Sequence, residues 1–234
     1  MRTSDKGIVA LLSHEGIVPG PYLDSVGVQT YGVGHTAAAG HPIPKQMPAG
    51  MPSDLDAELV RVFEVFRKDL EKYEADVRRA IKVDVTQAQF DAAVSFHYNT
   101  GAIGRASWVK ALNSGDVKNA GLKIMSWKKP AEIIPRRKDE QKLFQTGEYP
   151  HAKIIVWGVT KDRRVIWKPQ RTLRPTEAIQ MLQGARVTSL APSAPKQRGK
   201  AGPLAAVFAA IVALIASFAC KIPFLNTLIS ACGG

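Results

Sequence analysis

The chain has 234 residues, 45% of them hydrophobic, and a formal net charge of +12. This is long enough for one ordinary domain with additions and apolar enough to bury a real core. The two cysteines, Cys220 and Cys232, both lie near the C-terminal end, so the preceding domain needs no oxidising compartment to fold, and no Cys/His spacing marks a metal site.

The first residues carry no long apolar run, so no secretory signal is visible there. Ile8, Leu11 and Leu12 recur at helical spacing and predict a short first helix that ends at Glu15, with Gly16 as its stop. A carboxyl group at that end meets the negative pole of the helix dipole, and partial burial acts in the same direction. Both favour the protonated form that a general acid needs. Residues 22–24 and 28–33 read as two short strands joined by the turn Ser25-Val26-Gly27. Asp24 would end the first strand and Thr30 would lie in the second, together holding a water molecule opposite Glu15. Acid on one side and activated water on the other is the logic of an inverting glycosidase.

Residues 37–52, rich in Ala, Gly and Pro, read as a loop. Ser53 is the expected N-cap of a long amphipathic helix, with Leu55, Leu59, Phe63, Phe66, Leu70, Tyr73 and Val77 along its apolar stripe. A helix capped by Thr86 follows over 86–98, with Phe90, Ala93, Val94 and His97 on one face. Residues 108–112, 117–127 and 136–144 predict further helices, and Trp127 is expected to pack in the core.

The character changes after residue 150. Residues 153–159 and 165–167 are β-rich and flank a charged turn, predicting a hairpin in which Trp157 and Trp167 pack across the strands. Sugar stacking is the alternative use of that pair. The basic character is concentrated here: residues 1–149 carry 20 basic and 18 acidic side chains, whereas residues 150–200 carry 11 and 2. Residues 173–200 read as a basic linker. Residues 201–220 then run without a charge between Lys200 and Lys221 and show no polar face, which predicts a bilayer-spanning helix. Lys196, Arg198 and Lys200 precede the span and Lys221 follows it, an asymmetry that would keep the larger domain cytoplasmic. With basic residues beside an apolar span, the expected partner is anionic lipid or cell-wall polymer, not nucleic acid.

The order Glu15-x8-Asp24-x5-Thr30 followed by Tyr31-Gly-Val-Gly-His35-Thr36 resembles the phage-type lysozymes, the family of T-even phage lysozyme and many endolysins (glycoside hydrolase family 24). Further motifs follow in the same order: the stretch from Gln89 to Gly101, Leu112-Asn113-Ser114-Gly115-Asp116, Trp127, and the stretch from Arg136 to Gly147. The resemblance covers roughly residues 5–149. It implies an α+β, mainly helical, two-lobed lysozyme-like fold, with a small N-terminal β-hairpin lobe and a helical C-terminal lobe. The long helix would join the two. The expected organisation is a catalytic domain over 1–149, an appended β-hairpin over 150–172, a basic linker over 173–200, a transmembrane helix over 201–220 and a short tail over 221–234.

The resemblance also implies roles. Glu15 is the catalytic acid, and Asp24 and Thr30 place the water or stabilise the oxocarbenium-like state. Arg136 pairs with the catalytic acid, although a shift of one residue to Arg137 stays open at this point. Asn99 is a candidate hydrogen-bond partner of the substrate, with helix-end capping as its alternative. His35 serves structure by pairing with Asp69 across the lobes. The implied activity is a muramidase acting on peptidoglycan from the host cytoplasm or inner membrane, monomeric, without a cofactor, alongside a holin or other lysis protein. The rivals are a lytic transglycosylase, which would not need the Asp24 water, and a wall-binding or membrane-permeabilising protein, which would need none of the three residues.

Overall fold

The computed structural model describes residues 1–150 and 153–190, and residues 1–190 form one compact unit. Helix α1 (Asp5–Glu15) is capped by Ser4, whose hydroxyl accepts from the Gly7 N–H. Three short strands follow: β1 (Val18–Leu23), β2 (Gln29–Gly32) and β3 (His35–Thr36), in an antiparallel sheet of order β1-β2-β3. The sheet therefore has one strand more than the predicted hairpin. Its first strand also starts earlier, because Val18 pairs with Gly32 before a bulge interrupts the ladder up to Tyr22.

Helix α2 (Leu55–Ala80) is 26 residues long, about 39 Å at the helical rise. Its N-cap is Asp54, not Ser53: the Asp54 carboxylate accepts from the Ala57 N–H at 3.0 Å, and Ser53 stands one residue too early for that geometry. The stripe read from the sequence is the face it buries, with Leu59, Phe63, Phe66, Leu70 and Val77 all in the core.

Helix α3 (Gln87–Thr100) opens on a capping box formed by Thr86 and Gln89 and closes on Gly101 in the left-handed region. Every residue from Phe90 to His97 is buried, so this is a central helix and not the one-faced helix expected from its pattern. Helix α6 (Ile134–Thr146) packs on it, α4 (Ser107–Asn113) meets it through Trp108 on Phe96, and α5 (Val117–Ile124) packs on α4 and α6. The helix expected to run to residue 127 ends at Ile124 and passes into a 3-10 turn, Met125–Trp127. There Trp127 meets Phe96 edge-on, half-buried against the core.

The segments after residue 150 depart most from expectation. Strands β4 (Ile154–Val159) and β5 (Val165–Leu173) form the predicted hairpin, but it is not an appendage. Val156 makes a parallel bridge to Ile17, and Ile154, Val156 and Leu173 enter the common core. The first half of the expected linker is helix α7 (Pro175–Leu190), which lies against α2 and α1 and buries Ala178 and Leu182 completely. A composition of Gly, Ser, Pro and basic residues suggested a linker, and the apolar residues at 178, 179, 181 and 182 outweigh it. Among the described residues no helix is long and apolar enough to cross a membrane. The expected span over 201–220 and the tail over 221–234, with both cysteines, lie outside the described residues.

Candidate active site

Helix α1 stops at Glu15 because Gly16 takes φ +72° and ψ 179°, a conformation open essentially to glycine alone. Space demands glycine as well, since a Cβ at residue 16 would stand 2.6 Å from the Trp157 indole nitrogen. The hairpin that the sequence set apart is thus seated directly behind the candidate acid. On its outer side Trp157 meets Trp167 edge-on at 5.4 Å, and Trp167 is exposed.

The Glu15 carboxylate receives Arg136 Nη1 at 2.5 Å. Arg136 is otherwise locked by the protein: its Nε donates to Glu140 Oε1 at 3.0 Å and its Nη2 to the Ser95 carbonyl at 2.9 Å. Ser95 Oγ donates to the same Glu140 oxygen at 2.7 Å. The neighbouring Arg137 donates to the other Glu140 oxygen and to Asn99 Oδ1. Arg136, and not Arg137, is therefore the partner of Glu15. One buried carboxylate, Glu140, serves two buried guanidinium groups, which is how α6 can carry them at adjacent positions. Burial, with the charge of Arg136 beside it, lowers Arg137 to about 10, so it stays charged at neutral pH. Asn99 does not cap α3, whose closing N–H comes from Gly101 to the His97 carbonyl. It is held on the Arg137 side of the network instead.

Asp24 lies in the turn between β1 and β2. Its Oδ1 accepts from the N–H groups of Val26 at 3.0 Å and Val28 at 2.8 Å, so this carboxylate shapes its own turn. Thr30 is buried in β2, and its hydroxyl donates to the Val28 carbonyl at 3.1 Å. Tyr22 links the two carboxyl residues electrostatically. Burial, followed by the charges of Glu15 and Asp24, pushes its phenol up to about 12. Tyr73 and Tyr98 are raised too, first by burial, and both also sense the charge of Glu15.

Tyr73 and Tyr98 open onto a cleft of about 420 Å³ that is lined from one side by Gly34, Thr36 and Ala38 and from the other by α2. Asp69 borders it. His35, almost fully buried, holds Asp69 from the β3 side: Nδ1 lies 2.7 Å from Asp69 Oδ2, and Nε2 donates to the Pro42 carbonyl at 2.7 Å. Burial raises the Asp69 carboxyl, and its contact with His35 opposes that shift.

The structure thus brings Glu15 and Arg136 together, and His35 and Asp69 together. It puts Asp24 in the β1–β2 turn and Thr30 in β2, and ties Asn99 to Arg137. The sequence reading did not single out Ser95, Glu140, Tyr73 or Tyr98 for the site. Glu140 stands one helical turn after Arg136, the spacing of a helix ion pair, and was the one legible signal.

The chain matches the phage lysozyme family over residues 12–140. It belongs to that family. It is 32% identical over 150 residues to the endolysin of Salmonella phage P22, a match covering 62% of this chain and 98% of that protein. It is also 32% identical over 157 residues to the endolysin of Bacillus phage B103, but spans only 56% of that protein's length. Among solved structures, the endolysin of Escherichia coli phage FAHEc1 superposes with a TM-score of 0.54 at 30% identity, covering 64% of this chain and 97% of that one. The family match ends at Glu140, so β4, β5 and α7 lie beyond the part of this chain that the match defines.

Proposed function

We propose that the chain is a peptidoglycan hydrolase of the muramidase type, cleaving the β-1,4 bond between N-acetylmuramic acid and N-acetylglucosamine as a phage or prophage endolysin. The observation that carries this reading is the placement of Glu15, at the end of α1 and held by Arg136 at 2.5 Å, with Asp24 in the β1–β2 turn that follows. In this reading Glu15 protonates the glycosidic oxygen. Asp24 orients the attacking water or stabilises positive charge on the sugar, and Thr30 helps place that water. Arg136 aims the acid and does not take part as a proton donor. Asn99 meets the substrate from the α3 side, while His35 and Asp69 hold the lobes at the cleft. The site calls on side chains alone and needs no cofactor.

Muropeptide mass spectrometry tests this. The full chain is expected to release reducing N-acetylmuramic ends from purified peptidoglycan, and Glu15→Gln to lose at least about 100-fold in rate, the usual minimum worth of a positioned general acid. Anhydro ends would make the enzyme a transglycosylase, with no use for Asp24 and Thr30. No products from a folded chain would refute the enzymatic reading.

The same proposal assigns residues 201–220 as a bilayer span, supported by their unbroken apolar run and flanking lysines. The enzyme then waits on the inner membrane as a monomer with its larger domain cytoplasmic, and a holin or another lysis protein gives it access to the wall. The full chain should float with liposomes and resist alkaline extraction, whereas a chain ending at residue 190 should stay with the soluble fraction. Equal behaviour of the two would remove the anchor.

A further inference from the structure

The turn between β4 and β5 holds an arginine in an unusual state. Among the described residues, Arg163 is the one non-glycine residue with a positive φ, +62°. A strained backbone conformation persists where surrounding contacts over-determine it, and here the contacts are specific. The Arg163 carbonyl accepts from the Leu23 N–H at 2.8 Å. Its guanidinium donates to Gln29 Oε1 and to the carbonyls of Pro44 at 3.1 Å, Lys45 at 3.1 Å and Met47 at 3.2 Å.

Leu23 and Gln29 face each other as the last rung of the β1–β2 ladder. The next residue in the chain after Leu23 is Asp24, and the next after Gln29 is Thr30. Because the ladder is irregular between Val18 and Tyr22, two rungs, Tyr22 with Thr30 and Leu23 with Gln29, carry the turn. Arg163 grips both sides of the outer rung, one through its backbone and one through its side chain. The rest of the hairpin reinforces this seat. Val159 is packed so closely on Gly20 that a Cβ there would approach its side chain to 2.8 Å. Ile17 exchanges backbone hydrogen bonds with Ile155 and Trp157 at 2.9 and 2.8 Å.

We infer that Arg163 is a positioning residue for the reaction: it fixes the tip of the β1–β2 hairpin, and so the placement of Asp24 and Thr30 relative to Glu15. The inference rests on the muramidase reading for its catalytic consequence but not for its geometry. It gives the hairpin beyond the family match a role in the active site. The left-handed backbone is the reason the residue can do both jobs, since it turns the carbonyl toward β1 while the side chain crosses to β2 and the 44–47 turn.

Arg163→Gly tests it, because glycine keeps the left-handed backbone and the carbonyl bond to Leu23 while the guanidinium is lost. In the full chain, amide hydrogen exchange at Val26 and Val28 should accelerate at least about tenfold, with exchange in α3 unchanged. On peptidoglycan, kcat per folded enzyme should fall about tenfold with KM within twofold. In an Asp24→Asn background the same substitution should cost little more, as expected of two residues acting through one group. Unchanged exchange at the tip would overturn the proposal, and so would a kcat loss that adds in full to that of Asp24→Asn. If exchange accelerates but the wild type releases no muropeptides, the positioning stands and the muramidase reading fails. Arg163→Lys, which keeps a charge but not the fork of donors, should not restore the tip.

Discussion

Glu15, the proposed acid, is held by Arg136, which is itself held by its neighbours. Arg136 reaches it only because Glu140 and the Ser95 carbonyl occupy the remaining guanidinium donors, leaving Nη1 pointed at the acid. The two arginines act on His14 as well. Burial first, then the charges of Arg136 and Arg137, lower this imidazole from 6.5 to about 4, while Asp139 stands 3.8 Å away on its other side. The unfolded chain binds a proton at His14 below about 6.5 and the folded chain does not until about 4, so stability is full above the first value and is lost as the pH falls toward the second. The gap is worth on the order of 3 kcal/mol. Urea unfolding at pH 7 and pH 4.5 should show the wild type losing about 2–3 kcal/mol to this group, and His14→Gln should show a correspondingly flatter dependence.

At the scale of elements, the junction between α1 and β1 is tightly packed. Gly16 ends the helix, admits Trp157 and precedes the strand that leads to Asp24. An alanine there meets both the backbone restriction and the Trp157 ring at 2.6 Å. Gly16→Ala is expected to cost about 1–3 kcal/mol from the backbone alone, seen as a lower urea midpoint. It should also reduce lytic activity beyond the loss of folded protein, because Glu15 is the adjoining residue. Retained activity per folded molecule would show that the acid tolerates a displaced helix end. Helix α3 makes the complementary point. Its cap was legible at Thr86 because a capping box is a local pattern. Its burial on all sides was not, because Asp91 and Ser95 look like surface residues until Ser4, Tyr149, Gln87 and Glu140 satisfy them.

At the scale of the whole molecule, the compact unit runs to residue 190 and not to 149. The boundary was misplaced because the resemblance ends near residue 149 and the composition beyond it is basic and polar. Four apolar side chains in α7 decide otherwise: Ala178 and Leu182 are fully buried, and Ile179 and Met181 pack on the same core. A chain ending at residue 173 should therefore be less stable than one ending at 190 by about 3 kcal/mol or more, counting one fully buried leucine and its partly buried neighbours. Chemical denaturation of the two would measure this, and equal stability would return α7 to the status of a linker.

The sequence by itself determined the mainly helical fold, through hydrophobic periodicity and helix stops, and the family, through the resemblance of its ordered motifs from Glu15-x8-Asp24-x5-Thr30 onward. It also located the β4–β5 hairpin, since β-rich runs around a charged turn are a local signal. Only the tertiary structure decided that Arg136 and not Arg137 meets Glu15, since adjacent residues on one helix are separated by direction and not by composition. Only it placed the hairpin behind the acid and Arg163 on the Leu23–Gln29 rung. Those contacts join residues more than a hundred positions apart, and no local pattern in the chain encodes which distant surface a side chain will reach.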